Sequence, residues 1–128
     1  MELTEKCFKD FLSFFNSKRR GTEVGFYQLP ELFQNALIIE FFDSVGIVIN
    51  INVDTNNEAN SCEDGCENCD SCYDTWNSEY EYCIYTFTKI ENNTNDYVSY
   101  FCEDKFDLRI EATNSAIEKA NEIYNKNN

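Results

Sequence analysis

Histidine is absent from this chain of 128 residues, and lysine and arginine are absent from the 68 residues between Gly21 and Thr88. The first absence removes the commonest general base and the commonest nitrogen ligand for zinc. The second leaves 13 Asp and Glu unaccompanied by any cation in sequence, within a total net charge of −14. A field of that sign repels DNA, RNA and anionic membrane surfaces, and it attracts metal cations and basic protein surfaces. No apolar run approaches the roughly 18 residues of a membrane span. With four glycines in the chain, there is no glycine-rich phosphate loop and no nucleophile elbow. The acids are too evenly spread to nominate a catalytic pair, so no enzyme is expected.

What the chain does have is aromatic residues, at 16% of the total through 11 Phe and 8 Tyr. That share argues against a disordered acidic tail, and the length fits one domain with one core. Leu3, Cys7, Phe8, Phe11, Leu12 and Phe15 recur at helical spacing. Thr4 is placed to cap this first helix, and Lys18-Arg19-Arg20-Gly21 to end it. Gly25 to Leu29 reads as a connector. Pro30-Glu31 opens a second helix through Leu32, Phe33, Ala36, Leu37, Ile39 and Phe41, with Gly46 as its stop.

Ile47 to Val53 alternates as a strand, with Ile47, Ile49, Ile51 and Val53 on one face. Asp54 to Asn77 reads as a long acidic, cysteine-rich loop. Glu79 to Ile90 alternates again, Glu91 to Asp96 is a turn, and Tyr97 to Cys102 is the return strand of a hairpin. A last helix starts near Asp107 as cap and runs through Ala112, Ala116, Ile117, Ala120, Ile123 and Tyr124. The expected fold is a single α+β domain over 1–128. It has a three-stranded, mainly antiparallel sheet, two N-terminal helices, one C-terminal helix and the 54–77 loop.

Arg109-Ile-Glu-Ala-Thr-Asn-Ser-Ala-Ile-Glu-Lys-Ala-Asn-Glu-Ile-Tyr124 resembles the terminal helix of small uncharacterised proteins encoded by bacteriophages and mobile elements of low-GC bacteria. Phe41-Phe-Asp-Ser-Val-Gly-Ile47 is similar as well. The two stretches cover about a fifth of the chain. The resemblance implies a phage or mobile-element accessory protein and carries over no catalytic residues. The cysteine loop departs from that group.

Seven cysteines is an odd number, and the amphipathic pattern that follows Met1 predicts no signal peptide, so a reducing cytoplasmic setting is expected. Cys62, Cys66, Cys69 and Cys72 are the expected metal ligands. The Cys66-x2-Cys69-x2-Cys72 spacing is that of the clustered ligands of a bacterial-type iron–sulfur site. That pattern continues with x3-Cys-Pro, whereas Tyr73-Asp74-Thr75-Trp76 follows here. Cys62-x3-Cys66-x2-Cys69 matches the triplet of radical enzymes using S-adenosylmethionine, but this chain is too short for their barrel. Tetrahedral zinc leads the alternatives, wrapped by all four thiolates or completed by Cys83 or Cys102 from the sheet. An iron–sulfur cluster, disulfides and no bonded role stay open. Asp54, Asn56, Glu58 and Asn60 alternate as in a calcium loop, but Ala59 and Gly65 occupy the positions that need Gly and Glu. Cys7, Cys83 and Cys102 read as small buried side chains.

The acidic residues around those sulfurs raise thiol pKa values, which disfavours a free reactive thiolate. Glu63, Asp64, Glu67, Asp70 and Asp74, with Trp76, form the expected partner-binding set, facing a basic protein surface rather than nucleic acid or membrane. Tyr73, Tyr80, Tyr82, Tyr85 and Phe87 are expected to be strand packing, with any exposed subset suiting a protein-binding face. The alternative to a binding module is a metal- or redox-responsive protein acting through the Cys62–Cys72 loop.

Overall fold

Cys7, Phe11 and Phe15 recur every fourth residue and fall on one buried stripe of the first helix, α1 (Glu5–Arg19). The computed structural model describes residues 2–59, 74–89, 95–102 and 104–128, with the backbone alone for 54–59, 74–78, 88–89 and 95–96. After α1 come α2 (Glu23–Tyr27), α3 (Glu31–Ser44), β1 (Ile47–Ala59), β2 (Asp74–Lys89), β3 (Asn95–Phe101) and α4 (Arg109–Asn127). The architecture is α+β, with an antiparallel sheet of order β1-β2-β3 and helices at both termini.

The core lies between one sheet face and the helices. Ile47, Ile49 and Ile51 stand opposite Thr86, Ile84 and Tyr82, and all six share a face because the strand period is two. Ile38, Phe41 and Phe42 of α3 meet that face, with Ala116, Ile117, Ala120, Ile123 and Tyr124 of α4. The Phe11 ring packs edge-on against Phe26 at 4.9 Å and Phe41 at 5.8 Å. Phe11, Phe42, Ile84 and Ile117 are fully buried, each stabilising the fold by about 1.5–3 kcal/mol. The helix expected from Pro30 onward is packed through Ile38, Phe41 and Phe42, whereas Leu32 and Phe33 in its first turn are exposed.

Helix ends depart from the expected signals. Thr4 is the N-cap of α1 by position, but its side chain makes no capping bond. Two asparagines of α4 do that work instead. Asn121 Oδ1 accepts from Thr4 N at 3.1 Å, and Asn125 Oδ1 accepts from Cys7 N at 3.0 Å. Their amide nitrogens donate back, to Thr4 Oγ1 at 3.0 Å from Asn121 and to Thr4 O at 3.1 Å from Asn125. This clamp holds an entry in which Glu5 has a φ of 54°, a conformation costing a non-glycine residue roughly 1–2 kcal/mol.

At the other end the left-handed residue is Arg20, with φ 53°, and not Gly21. Gly21 is required for space: a Cβ there would stand 2.1 Å from the Phe15 ring. The connector after it folds into α2, whose first turn is capped by Thr22 Oγ1 accepting from Gly25 N at 3.1 Å. Asp107 is not a cap either; α4 starts at Arg109 after Leu108, without a side-chain bond.

The loop expected over 54–77 is shorter than its composition suggests. β1 continues to Ala59 and β2 begins at Asp74, with Asp54↔Glu79 through Ala59↔Asp74 in register. Alternating hydrophobicity stops near Val53 because the covering helices stop: Val53 is 50% exposed, whereas Ile47 and Ile49 on the same face are buried.

Candidate functional site

Beyond Tyr80 the sheet narrows to two strands. β3 ends at Phe101, and the chain rejoins β2 once more through Tyr80 and Phe106, whose amides and carbonyls exchange two bonds of 2.8 Å. Before that bridge, Cys102 Sγ accepts from Tyr82 N at 3.1 Å. From Asp54↔Glu79 outward, among the described residues, only β1 and β2 remain paired, an arm of roughly 20 Å at the usual rise per residue. Between residues 54 and 79 the sequence carries eight Asp and Glu and no Lys or Arg. At the base of the arm, Lys105 Nζ lies 3.8 Å from Glu79 and 3.9 Å from Glu81. Ion pairs this long and exposed contribute about 0–1 kcal/mol and leave most of the field in place.

Of the expected site residues, Asp74 and Trp76 are in β2, opposite Ala59 and Asn57, and only their backbone is described. Cys62, Cys66, Cys69, Cys72, Glu63, Asp64, Glu67 and Asp70 lie outside the described residues, as does Tyr73. The ladder fixes where that segment leaves and returns, because residues 59 and 74 face each other at its last pair. Among the described residues, no group of three or more Cys, Asp and Glu stands close enough to hold a metal ion.

The three remaining cysteines are free thiols with different surroundings. Cys7 is fully buried, and burial followed by the nearby Asp10 carboxylate pushes its thiol up to about 12. Cys83 is also buried, in the middle of β2. It sits roughly 30 Å along the strand from Asp74 at about 3.3 Å per residue, so a site combining it with the 62–72 thiols must bridge that distance. Cys102 is only half-buried, and besides accepting from Tyr82 N its thiol donates to Asp104 O at 3.3 Å. Two of the three fit the expectation of small buried side chains; Cys102 is half-buried and hydrogen-bonded.

The aromatic residues divide by parity. Tyr82 faces inward and packs on the core with Tyr100. Tyr85 and Phe87 point the other way, joined by Val48, Tyr97 and Phe101 through the strand register. None of these five belongs to the core. Tyr97 stands edge-on to Tyr85 at 5.9 Å and tilted to Phe87 at 6.2 Å. A hydrogen bond with Cys83 raises the Tyr85 hydroxyl above its ordinary pKa, with the Cys83 charge and burial adding to it. Sequence reasoning named Tyr85 and Phe87 but missed Tyr97 and Phe101. The signal that finds them is that strand parity through Asn50↔Cys83↔Phe101 puts them on the side away from the helices, where Cys83 is nonetheless buried.

No protein-family model, no curated protein and no solved structure matches this chain. Among the described residues, no helix is long and apolar enough to cross a membrane.

Proposed function

We propose that this chain is a small acidic protein-binding module that engages a basic surface of a host protein, as an accessory or inhibitor protein of a phage or mobile element acting in the cytoplasm. The observation that carries the reading is the β1–β2 arm, which continues past the core to Ala59↔Asp74, within a stretch of sequence from 54 to 79 that holds eight Asp and Glu and no Lys or Arg. An isolated two-stranded ribbon is marginal in water, so a partner that lies along it also orders it. Long-range attraction steers such a partner in and makes the association sensitive to salt. A nucleic-acid-handling enzyme, whose surface is basic in order to receive phosphates, is the partner class that suits this charge. The module blocks it by imitating the charge of its substrate.

The test is capture of partners from a host lysate at low and high salt, with Glu63, Asp64, Glu67 and Asp70 replaced by Ser. The expected result is a set of basic proteins retained at low salt and lost both at high salt and from the serine variant. Unchanged capture by the variant removes the acidic-arm reading.

A second reading is supported by the pairing of Ala59 with Asp74, which closes the base of the segment holding Cys62, Cys66, Cys69 and Cys72. A zinc ion on four thiolates, or an iron–sulfur cluster, would order this segment where apolar residues are few. Elemental analysis with thiol counting on protein purified without added metal checks it. The expected outcome is near one equivalent of metal and melting that falls on chelation. Absence of both zinc and iron, with melting indifferent to chelator, ends this reading.

A further inference from the structure

The first strand has an edge that the fold itself does not pair. Phe87 N donates to Gly46 O at 2.9 Å, and antiparallel ladders bond at every second residue pair. In the register of β1 with β2, the bonded positions after Gly46 are therefore Val48, Asn50 and Asn52. The amides and carbonyls of Ile47, Ile49, Ile51 and Val53 turn toward the free edge, where nothing among the described residues pairs with them.

Edge strands of soluble proteins are guarded by lysine, proline, a bulge or shortness. The run Ile47-Val-Ile-Asn-Ile-Asn-Val53 has no charge and no proline, and it pairs one-to-one with β2 throughout. β3, the other edge, offers a shorter uncharged run that follows Asp96.

The β1 run is complementary to itself. Turned antiparallel about Asn50, it sets Ile47 against Val53 and Ile49 against Ile51 on the helix-covered face, with Val48 against Asn52 on the other. The residues whose backbone groups are free are the ones that meet as bonded pairs, so about eight hydrogen bonds close the seam. Val53, 50% exposed on a face where Ile47 and Ile49 are buried, meets Ile47 of the second copy.

Charge restricts the arrangement. A net charge of −14 on each copy opposes self-association in general. Antiparallel pairing of β1 sends the two acidic stretches to opposite ends of the joined sheet. The two Asp54 positions then lie about 27 Å apart along the seam, against a screening length of about 8 Å at physiological salt. Asp54 itself falls opposite Gly46, not opposite another acid.

We infer that β1 pairs with β1 of a second copy, antiparallel about a two-fold axis at Asn50, joining two three-stranded sheets into one. The inference stands apart from the acidic-module reading and uses none of its residues.

Sedimentation of the full chain with reductant present, over a range of concentration, is the test. The mass is expected to double between about 1 µM and 1 mM, the range of a small interface. Asn50 is exposed, so Asn50→Asp and Asn50→Lys are expected to leave melting unchanged. Each places like charges on the axis and is expected to weaken the dimer about tenfold or more. Mixing the two variants sets opposite charges there and is expected to restore association to within about threefold of the natural chain.

A single-chain mass at every concentration overturns the inference. So does a dimer that both charged variants leave intact, which places the contact on another surface. A dimer that Asn50→Lys strengthens traces association to net charge and overturns it as well. A mixture no tighter than either variant alone removes Asn50 from the axis.

Discussion

From Ile47 to Ile51 the first strand alternates apolar and polar residues beneath two helices; from Asp54 to Glu58 the same strand is polar throughout and pairs only with β2. One backbone ladder therefore runs through two environments. In the first, burial of Ile47, Ile49 and Ile84 fixes the register, since a slip of one residue would turn the apolar set to water. In the second, register is inherited from the covered part. The two faces of the covered part differ in the same way: the inner is closed by α3 and α4, while the outer shows aromatic rings to solvent.

The largest effect that sharpens this comparison is a pair of substitutions on elements facing opposite sides of the sheet. Phe42→Ala, emptying a fully buried site above the inner face, is expected to cost about 3–5 kcal/mol in chemical denaturation. Phe101→Ser on the outer face is expected to stay within about 0.5 kcal/mol. A cost for Phe101→Ser near that of Phe42→Ala would mean that the outer face is covered in solution. Smaller, and confined to the helical layer, is the clamp on α1. Asn121→Ala and Asn125→Ala are each expected to cost about 1–2 kcal/mol, since each leaves a helix-terminal amide without its acceptor. Neither change should alter partner binding. A loss of binding without loss of stability would place a functional role on α4.

Residues that pack against apolar neighbours were legible in the sequence. The Phe11 and Phe15 stripe, the Ile47–Ile51 alternation and the Ala116–Tyr124 face each follow a period set by a single buried side. Where polar groups serve partners distant in sequence, local signals misled. Thr4 looks like a self-sufficient cap, yet the acceptors come from Asn121 and Asn125, more than a hundred residues away. Gly21 looks like a helix stop, yet it makes room for Phe15 while Arg20 takes the left-handed turn. The ends of the long hairpin were hidden because the polar sequence from Asp54 to Glu58 has no alternation to read. Its acidity was visible from the start, but not that Asp54, Glu58, Asp74 and Glu79 fall on paired strands. The outer aromatic face was half visible, since parity could be counted but coverage by helices could not.

The central claim is that the acidic stretch from Asp54 to Glu79 attracts a basic partner before any close contact forms. The direct measurement is the association rate with the captured partner across a range of ionic strength, for the natural chain and for the variant with Ser at 63, 64, 67 and 70. A rate that falls steeply with salt in the natural chain, and starts lower and falls less in the variant, is the predicted result. Identical rates and identical salt dependence in the two proteins would contradict it.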